Sequence, residues 1–115
     1  MFRKENRLQK EKDIERVFKK GKGVKESFLV LKSVGNGLAE NRFAVVVSQK
    51  VAKKASLRNK IRRRLREAIK EKRGRTRSGL DVVLVVLPGF EKKDFGEIKK
   101  SLTKVFLKAK LLEET

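Results

Sequence analysis

The sequence predicts an α/β sandwich, an α+β type of fold in which three helices flank one small mixed sheet. Two observations predict it. Helical spacing of apolar residues alternates with short β-rich runs, in the order helix, strands, helix, strand, helix. The 115 residues are enough for one domain with a modest core and too few for two. We therefore expect a single domain over residues 1–115.

The first predicted element is a helix over residues 8–20, which Gly21 ends. Its apolar face consists of Ile14, Val17 and Phe18. Leu8 lies off that face, so the first turn is less well defined than the rest. A shorter helix that starts later, with Asp13 as its cap, is the alternative.

Two main strands follow the first helix. The first covers residues 27–34 and ends at the turn of residues 35–37, and the second covers residues 42–48. The alternating faces of the second strand carry Phe43, Val45 and Val47 on one side and Ala44, Val46 and Ser48 on the other. We expect these strands to form an antiparallel pair. Residues 23–26 add a short strand before them.

A βαβ unit follows, formed by the second strand, a helix and a third strand. The helix covers residues 56–72, with Ser56 as its N-cap. Its apolar positions are Leu57, Ile61, Leu65, Ala68 and Ile69. The strand over residues 80–87 is apolar almost throughout, which is typical of a strand buried on both faces.

The last predicted element is a helix over residues 94–112, which comes after the turn at residues 88–89. Seven residues at helical spacing form its apolar stripe. They are Phe95, Ile98, Leu102, Val105, Phe106, Ala109 and Leu112.

Charge is the most pronounced feature of the composition. Thirty-three Lys and Arg stand against 14 Asp and Glu, which gives a net charge of +19. Such a chain repels itself and is stabilised by a polyanion, so nucleic acid, an acidic protein and an anionic membrane are the candidate partners. No apolar stretch is long enough to span a bilayer, and no signal peptide opens the chain. We therefore expect a cytoplasmic protein with no membrane partner.

Side chains that carry catalysis or bind metals are scarce. Cys and His are absent, which excludes disulfides, thiolate chemistry, Cys/His zinc sites and the commonest general base. The carboxylates are scattered among Lys and Arg rather than gathered as a metal pair. We expect no catalytic residue and no metal site. Tyr and Trp are also absent, so any base stacking depends on Phe or Arg.

Basic residues concentrate in residues 53–77, where thirteen Lys and Arg face only Glu67 and Glu71. Three of them are four residues apart on one helix face: Arg58, Arg62 and Arg66. The planar donor fork of Arg matches phosphate oxygens, and the amide of Asn59 both donates and accepts. The pattern favours RNA or DNA phosphate. A solvated helix face and a membrane-surface helix are the alternatives.

The same helix contains a motif known from one protein family. Residues 58–66 resemble the RNR motif of the bacterial ribonuclease P protein, R-N-x-x-K/R-R-x-x-R. The fixed positions of this motif are filled by Arg58, Asn59, Arg62, Arg63 and Arg66. Residues 47–55, 8–21 and 78–83 also resemble the family. The resemblance therefore covers almost the whole chain.

The resemblance implies a fold and two RNA sites. The family fold is a sandwich with a left-handed βαβ crossover, like the second domain of ribosomal protein S5, and is an exception to the right-handed rule. The RNR helix faces the catalytic RNA subunit. The implied RNA-binding residues are Lys53, Lys54, Arg58, Asn59, Lys60, Arg62, Arg63 and Arg66. The implied lining of a cleft for the single-stranded 5′ leader of precursor tRNA is Phe18, Ile14, Leu31, Ser48 and Lys50.

The implied cleft departs from the family pattern. Relatives often carry aromatic residues at the positions of Ile14 and Leu31, and neither is aromatic here. Stacking on leader bases then rests mainly on Phe18. Packing in the core is the alternative for all three residues, and it is favoured for Ile14 and Leu31.

The resemblance also implies an activity. In the family, the RNA subunit hydrolyses the phosphodiester with Mg²⁺, which the holoenzyme requires, and leaves a 5′-phosphate on the tRNA. The protein is an accessory subunit that binds no cofactor tightly, and its partners are the catalytic RNA and precursor tRNA rather than a small molecule. The main alternative is a small basic ribosomal or other structured-RNA-binding protein. A protein-only nuclease would need clustered acids or a His.

Overall fold

The computed structural model describes residues 6–72 and 76–111, which form three α-helices and four strands. In chain order these are α1 (Glu11–Lys20), β1 (Lys22–Glu26), β2 (Leu29–Gly35), β3 (Arg42–Val47), α2 (Ala55–Glu71), β4 (Leu80–Val86) and α3 (Phe95–Lys108). A single 3₁₀ turn at Phe90–Lys92 precedes α3. The predicted order of elements is confirmed, including the short strand before β2.

The strands form one mixed sheet in the order β1-β2-β4-β3. β2 runs antiparallel to β1 and β4, whereas β3 runs parallel to β4. The predicted antiparallel pair of β2 and β3 is wrong, because β4 lies between them. A strand that is apolar on both faces is most stable inside a sheet, and β4 is buried along most of its length. The predicted βαβ unit is confirmed, since α2 connects β3 and β4.

Helices cover both faces of the sheet. α2 and α3 share the main core with Val82, Leu84 and Val86 of β4. On the other face, Val17 of α1 packs with Leu8 and Val83 in a smaller apolar cluster. Because side chains along a strand alternate between the two faces, each side of β4 has its own helical cover. This double cover explains why β4 lacks the polar alternation of a half-exposed strand.

α1 begins later than predicted, because the chain before it joins the sheet. Leu8 is buried, and its backbone N–H donates to the carbonyl of Phe43 at 2.9 Å. Residues 8–10 therefore lie outside the helix. The N-cap residue is Lys10, so the alternative cap at Asp13 is also wrong, since Asp13 lies inside the first turn.

The predicted end of α1 at Gly21 is confirmed. A Cβ atom at Gly21 would lie 2.4 Å from the carbonyl oxygen of Val17 and 3.0 Å from that of Ser33. Both contacts are shorter than van der Waals separation allows, so only glycine lets the helix end approach β2 this closely.

α2 begins at Ala55 with Lys54 as the N-cap residue, so the predicted N-cap Ser56 is wrong. The backbone N–H groups of Leu57 and Arg58 both bond to the Lys54 carbonyl, each at 3.1 Å, which places Ser56 inside the first turn. No side chain caps this end. The helix start is therefore held by contacts of its side chains, described below, rather than by a cap.

α3 begins with a capping box, in which the Asp94 carboxylate accepts from the Glu97 backbone N–H at 2.8 Å. Two members of the predicted apolar stripes, Leu57 of α2 and Phe95 of α3, are not buried, since each is 37% exposed. Both lie in the first turn of their helix, before the segment that packs on the sheet. The predicted position Leu112 lies outside the described residues.

Candidate nucleic-acid interface

Three partly buried arginines of α2, hereafter the arginine row, lie along one flank of its buried face: Arg58, Arg62 and Arg66. The buried face of the helix consists of Ile61, Leu65, Ala68 and Ile69. In residues 6–72 and 76–111, no acid forms an ion pair with any member of the row. The ion pair that α2 makes within the described residues is at its far end, between Glu71 and Lys99 at 3.0 Å. The row therefore presents positive charge that its surroundings do not neutralise.

Arg58 holds the loop that leads into α2. Its Nη1 donates to the carbonyls of Ala52 at 3.0 Å and Lys53 at 2.7 Å. These bonds organise the end of the loop, which carries the exposed side chains of Lys53 and Lys54. Arg58 thus positions two other cations in addition to contributing its own charge.

Arg62 connects α2 to the end of β3. Its Nη1 donates to Oδ1 of Asn59 at 2.7 Å, and its Nη2 lies 3.4 Å from the carbonyl oxygen of Val47. The Oδ1 atom of Asn59 therefore accepts a hydrogen bond within the protein. In the described part of the chain its nitrogen has no hydrogen-bond partner, so two donors point outward beside the arginine row.

Arg66 lies in a crowded positive environment. Burial lowers its pKa, and the charges of Arg7 and Arg62 lower it further. An arginine stays protonated under these conditions, so the repulsion among these charges destabilises the folded protein. A phosphate group bound here would relieve that repulsion.

The remaining predicted RNA-binding residues surround the arginine row, and all are exposed: Lys53, Lys54, Asn59, Lys60 and Arg63. Arg7, which is not among the predicted RNA-binding residues, extends the row. Its backbone forms a bridge to Phe43 of β3, and its charge acts on Arg66. Only its basic character was visible in the sequence, because the contact depends on the chain start lying along β3.

The second feature is a strip of sheet that α1 leaves partly uncovered, hereafter the open strip. Its floor is one row of paired residues across three strands: Val30, Val85 and Val46. Val46 is 36% exposed, and Phe18 on the adjoining face of α1 is 40% exposed. Ile14 is half-buried and also packs on the smaller cluster. Ser48 and Lys50, just after β3, are exposed at the end of the strip.

The prediction that Leu31 lines the cleft is wrong. It is fully buried in the main core, on the opposite face of the sheet from α1. The neighbouring Lys32 faces α1 instead, with its Nζ 5.4 Å from the centre of the Phe18 ring and 3.4 Å from the Phe18 carbonyl oxygen. A shift of one residue along a strand moves a side chain to the other face, so Lys32 takes the place assigned to Leu31.

The arginine row and the open strip occur in a chain that matches one family along nearly its full length. A family model described as Ribonuclease P matches residues 2–110. The chain belongs to the ribonuclease P protein family. A ribonuclease P protein component from Syntrophomonas wolfei is 33% identical over 111 residues, which cover 96% of this chain and 92% of the relative. One from Caldanaerobacter subterraneus is 35% identical over 114 residues, 99% of this chain and 97% of the relative.

Solved structures of ribonuclease P proteins share the fold. A Staphylococcus aureus RNase P protein mutant with defective mRNA degradation activity superposes with a TM-score of 0.89 at 29% identity, covering 95% of this chain and 92% of that one. The Thermotoga maritima RNase P protein superposes with a TM-score of 0.78 at 28% identity, covering 85% and 92%. The predicted sandwich of three helices and a mixed sheet is the fold of this family.

In this member of the ribonuclease P protein family, a buried ion pair holds α1 to the sheet. Asp81 of β4 is fully buried and accepts from Arg42 at 2.8 Å and 2.7 Å and from the Asn36 amide at 2.9 Å. Arg42 also reaches Asp13 of α1 at 3.4 Å, and Arg16 of α1 lies 3.7 Å from Asp81. The network fixes the helix that carries Phe18.

The two charges of this network stabilise each other. Burial acts to raise the pKa of Asp81, but hydrogen bonds from Arg42 and Asn36 and the charges of Arg42 and Arg16 outweigh it, so the pKa is lowered. The hydrogen bond to Asp81 in turn raises the pKa of Arg42. The sequence signal for this pair is a single acid inside the apolar run of residues 80–87.

Two further observations concern residues 6–72 and 76–111. No three acidic, His or Cys side chains there come together as a group that could hold a metal ion. No helix in the same residues has the length and apolar character needed to cross a membrane. Asp81 is the ion-pair partner of Arg42, and Asp94 caps α3.

Proposed function

We propose that this chain is the protein subunit of a ribonuclease P ribonucleoprotein that removes the 5′ leader of precursor tRNA in the cytoplasm. The observation that carries the proposal is the arginine row of α2, which has no acidic partner in the described residues, beside the open strip. The row binds the catalytic RNA, and the strip binds the single-stranded leader. Membership in the family supports the RNA partner.

The arginine row binds folded RNA through phosphate. Arg58 and Arg62 each use part of their guanidinium within the protein, which holds the side chain in one orientation. A guanidinium has five N–H donors, so each arginine keeps donors for phosphate oxygens. A pre-oriented arginine loses less entropy on binding than a free one. The exposed Lys60 and Arg63 add charge at the sides of the row.

The open strip binds the leader through stacking and charge. Proteins that hold single strands combine an aromatic platform with a cationic groove that follows the backbone. Here Phe18 supplies the platform, and Lys32 and Lys50 supply charge at the middle and the end of the strip. The valine floor offers an apolar surface to a second base. Lys32 replaces Leu31 in this proposal.

Catalysis belongs to the RNA subunit in this proposal. The holoenzyme requires Mg²⁺, and the chain binds no cofactor tightly by itself. The protein screens repulsion between the two RNAs and holds the leader, and the reaction leaves a 5′-phosphate on the tRNA. The ion occupies sites on RNA, whose phosphates are the oxygen ligands that Mg²⁺ prefers.

The experiment that tests this proposal compares precursor and mature tRNA in a reconstituted complex with a bacterial ribonuclease P RNA. We expect Phe18→Ala to weaken precursor binding by about 1–3 kcal/mol, the contribution of one stacked base, and to leave mature tRNA binding unchanged. The matched control is Phe95→Ala. Phe95 is similarly exposed and has a similar Lys99 contact at 4.7 Å, but lies on α3.

The same assay tests the role of the protein as an assistant. The protein alone leaves precursor tRNA intact, and adding it to the RNA subunit lowers the Mg²⁺ concentration needed for cleavage. Equal losses for precursor and mature tRNA with Phe18→Ala would exclude the leader site. Cleavage by the protein alone would exclude the proposed division of labour.

A further inference from the structure

A pocket of about 540 Å³ lies on the β1 side of the sheet, away from α2 and β3. The last residues of α1 and α3 are both part of its lining. Its apolar floor consists of Val24, Leu80 and Ala109, which pack against the main core, and Val34 adds an apolar side chain from the α1 face of the sheet. Its rim carries four lysines: Lys20, Lys22, Lys108 and Lys110. Ser33 is also part of the lining. The pocket therefore combines an apolar base with a cationic rim.

Within the described residues, most of this charge has no ion-pair partner. Lys108 lies 3.7 Å from Glu26 and donates to the Lys25 carbonyl at 2.8 Å. In residues 6–72 and 76–111, Lys20, Lys22 and Lys110 form no ion pair. In the described residues, one acid thus pairs with one of the four lysines.

Helix geometry explains only half of these lysines. Lys20 and Lys108 are the last residues of α1 and α3, where positive charge interacts favourably with the helix dipole. Lys22 and Lys110 lie beyond the helix ends. Gly21 lets the end of α1 approach Ser33 closely, which brings Lys22 to the pocket.

Lys110 occupies a position that favours glycine. Its φ is +59°, in the left-handed region. The N–H of Leu111 bonds to the Phe106 carbonyl at 2.9 Å, and the N–H of Lys110 bonds to the Leu107 carbonyl at 3.0 Å. This pair of bonds is the Schellman motif, in which the left-handed residue is usually glycine. A lysine here is less stable than glycine would be, so a contribution to binding is a reason for its presence.

We propose that this pocket binds a nucleotide unit of RNA, with its phosphate on the lysine rim and its base on the apolar floor. The site goes beyond the proposed function, since neither the arginine row nor the open strip takes part. It lies at the edge of the sheet opposite β3, so it gives the protein an RNA contact on a second side. An apolar floor under a lysine rim fits a nucleotide better than an acidic peptide, which has no ring to bury.

The test is a titration of the full-length protein, without RNA subunit, followed by the amide signals of the pocket in NMR spectra. The probe is uridine 5′-monophosphate, and uridine and inorganic phosphate are compared with it. We expect the nucleotide to shift the amides of Gly35, Leu80 and Ala109 at lower concentration than either fragment. Lys110→Gly weakens this binding about threefold to tenfold, while Lys104→Ala, an exposed lysine of α3 outside the pocket, leaves it unchanged.

Thermal unfolding separates binding from folding in the same variants. We expect Lys110→Gly to melt at or above the temperature of the wild type, because glycine adopts the left-handed conformation freely. Inorganic phosphate or a hexaglutamate peptide that binds the pocket as tightly as the nucleotide would overturn the proposal. So would equal effects of the two variants. Because no RNA subunit is present, the result does not depend on the leader and cleavage assays.

Discussion

At the scale of single residues, Asp81 has more influence on the site than its position in an apolar strand predicts. It is fully buried and binds Arg42 through two hydrogen bonds, while Arg42 and Arg16 extend the contact to α1. α1 has a small apolar interface, formed mainly by Val17. The ion pair therefore determines how firmly Phe18 is held beside the open strip.

We expect Asp81→Asn to lower the free energy of unfolding by about 3 kcal/mol, because it removes the closest and fully buried partner of the Arg42 charge. Urea unfolding at neutral pH measures this loss. The matched control is Asp13→Asn, which removes a longer, partly exposed contact of the same Arg42 and loses less than about 1 kcal/mol. Equal losses of unfolding free energy for the two variants would show that the buried pair contributes no more stability than the partly exposed one.

The ion pair also makes stability depend on pH. The pKa of Asp81 is lowered in the folded protein, so its contribution is complete above the ordinary Asp pKa of about 3.9 and is lost as the pH falls through the lower folded value. The stability of wild type should therefore fall more steeply than that of Asp81→Asn below about pH 4. Parallel curves for both proteins would contradict this account.

At the scale of elements, α2 divides its two functions between its two faces. Ile61, Leu65, Ala68 and Ile69 are buried, so the helix is fixed on the core. Because 3.6 residues make one turn, arginines four residues apart then project together from the adjoining face. The rigid helix sets the spacing of the cations that meet the RNA phosphates.

We expect the double variant Arg62→Ala, Arg66→Ala to weaken binding to the RNA subunit and to reduce the slope of log K against log salt by about two. Binding measured over a salt series tests this. The charge-matched control is Lys100→Ala, Lys104→Ala on α3, where both lysines are exposed. If both double variants reduced the slope equally, the row would contribute only net charge.

At the scale of the whole molecule, positive charge opposes compaction. The chain has a net charge of +19 and a radius of gyration of 13.2 Å. Many positive charges are therefore within one Debye length of each other, which is about 10 Å at moderate salt. The buried pairs and the core must hold the fold against this repulsion. Any bound polyanion stabilises the folded state by mass action.

We expect sulfate to raise the melting temperature more than chloride does at equal ionic strength, because a divalent anion bridges cations that chloride only screens. At ten times its dissociation constant, one bound sulfate adds about 1.4 kcal/mol of stability. Circular dichroism at low salt, with and without sulfate, measures the effect. Equal stabilisation by both salts would mean that screening alone accounts for it.

The sequence by itself determined the order of elements, the two-sided burial of β4 and the arginine row of α2. Each of these depends on a local pattern, either a period of 3.6 or an unbroken β-branched run, that needs no distant partner to be read. The motif within α2 indicated the family, because the residues at its fixed positions match the RNR pattern.

Only the tertiary structure decided which strands pair, which side of β2 meets α1, and where distant cations gather. β4 separates β2 from β3 because it was the best strand to bury, a competition that no single segment reveals. Lys32 rather than Leu31 faces Phe18, since strand register depends on every neighbouring strand at once. The pocket with the lysine rim joins residues ninety positions apart, Lys20 and Lys110, which only the folded chain brings together.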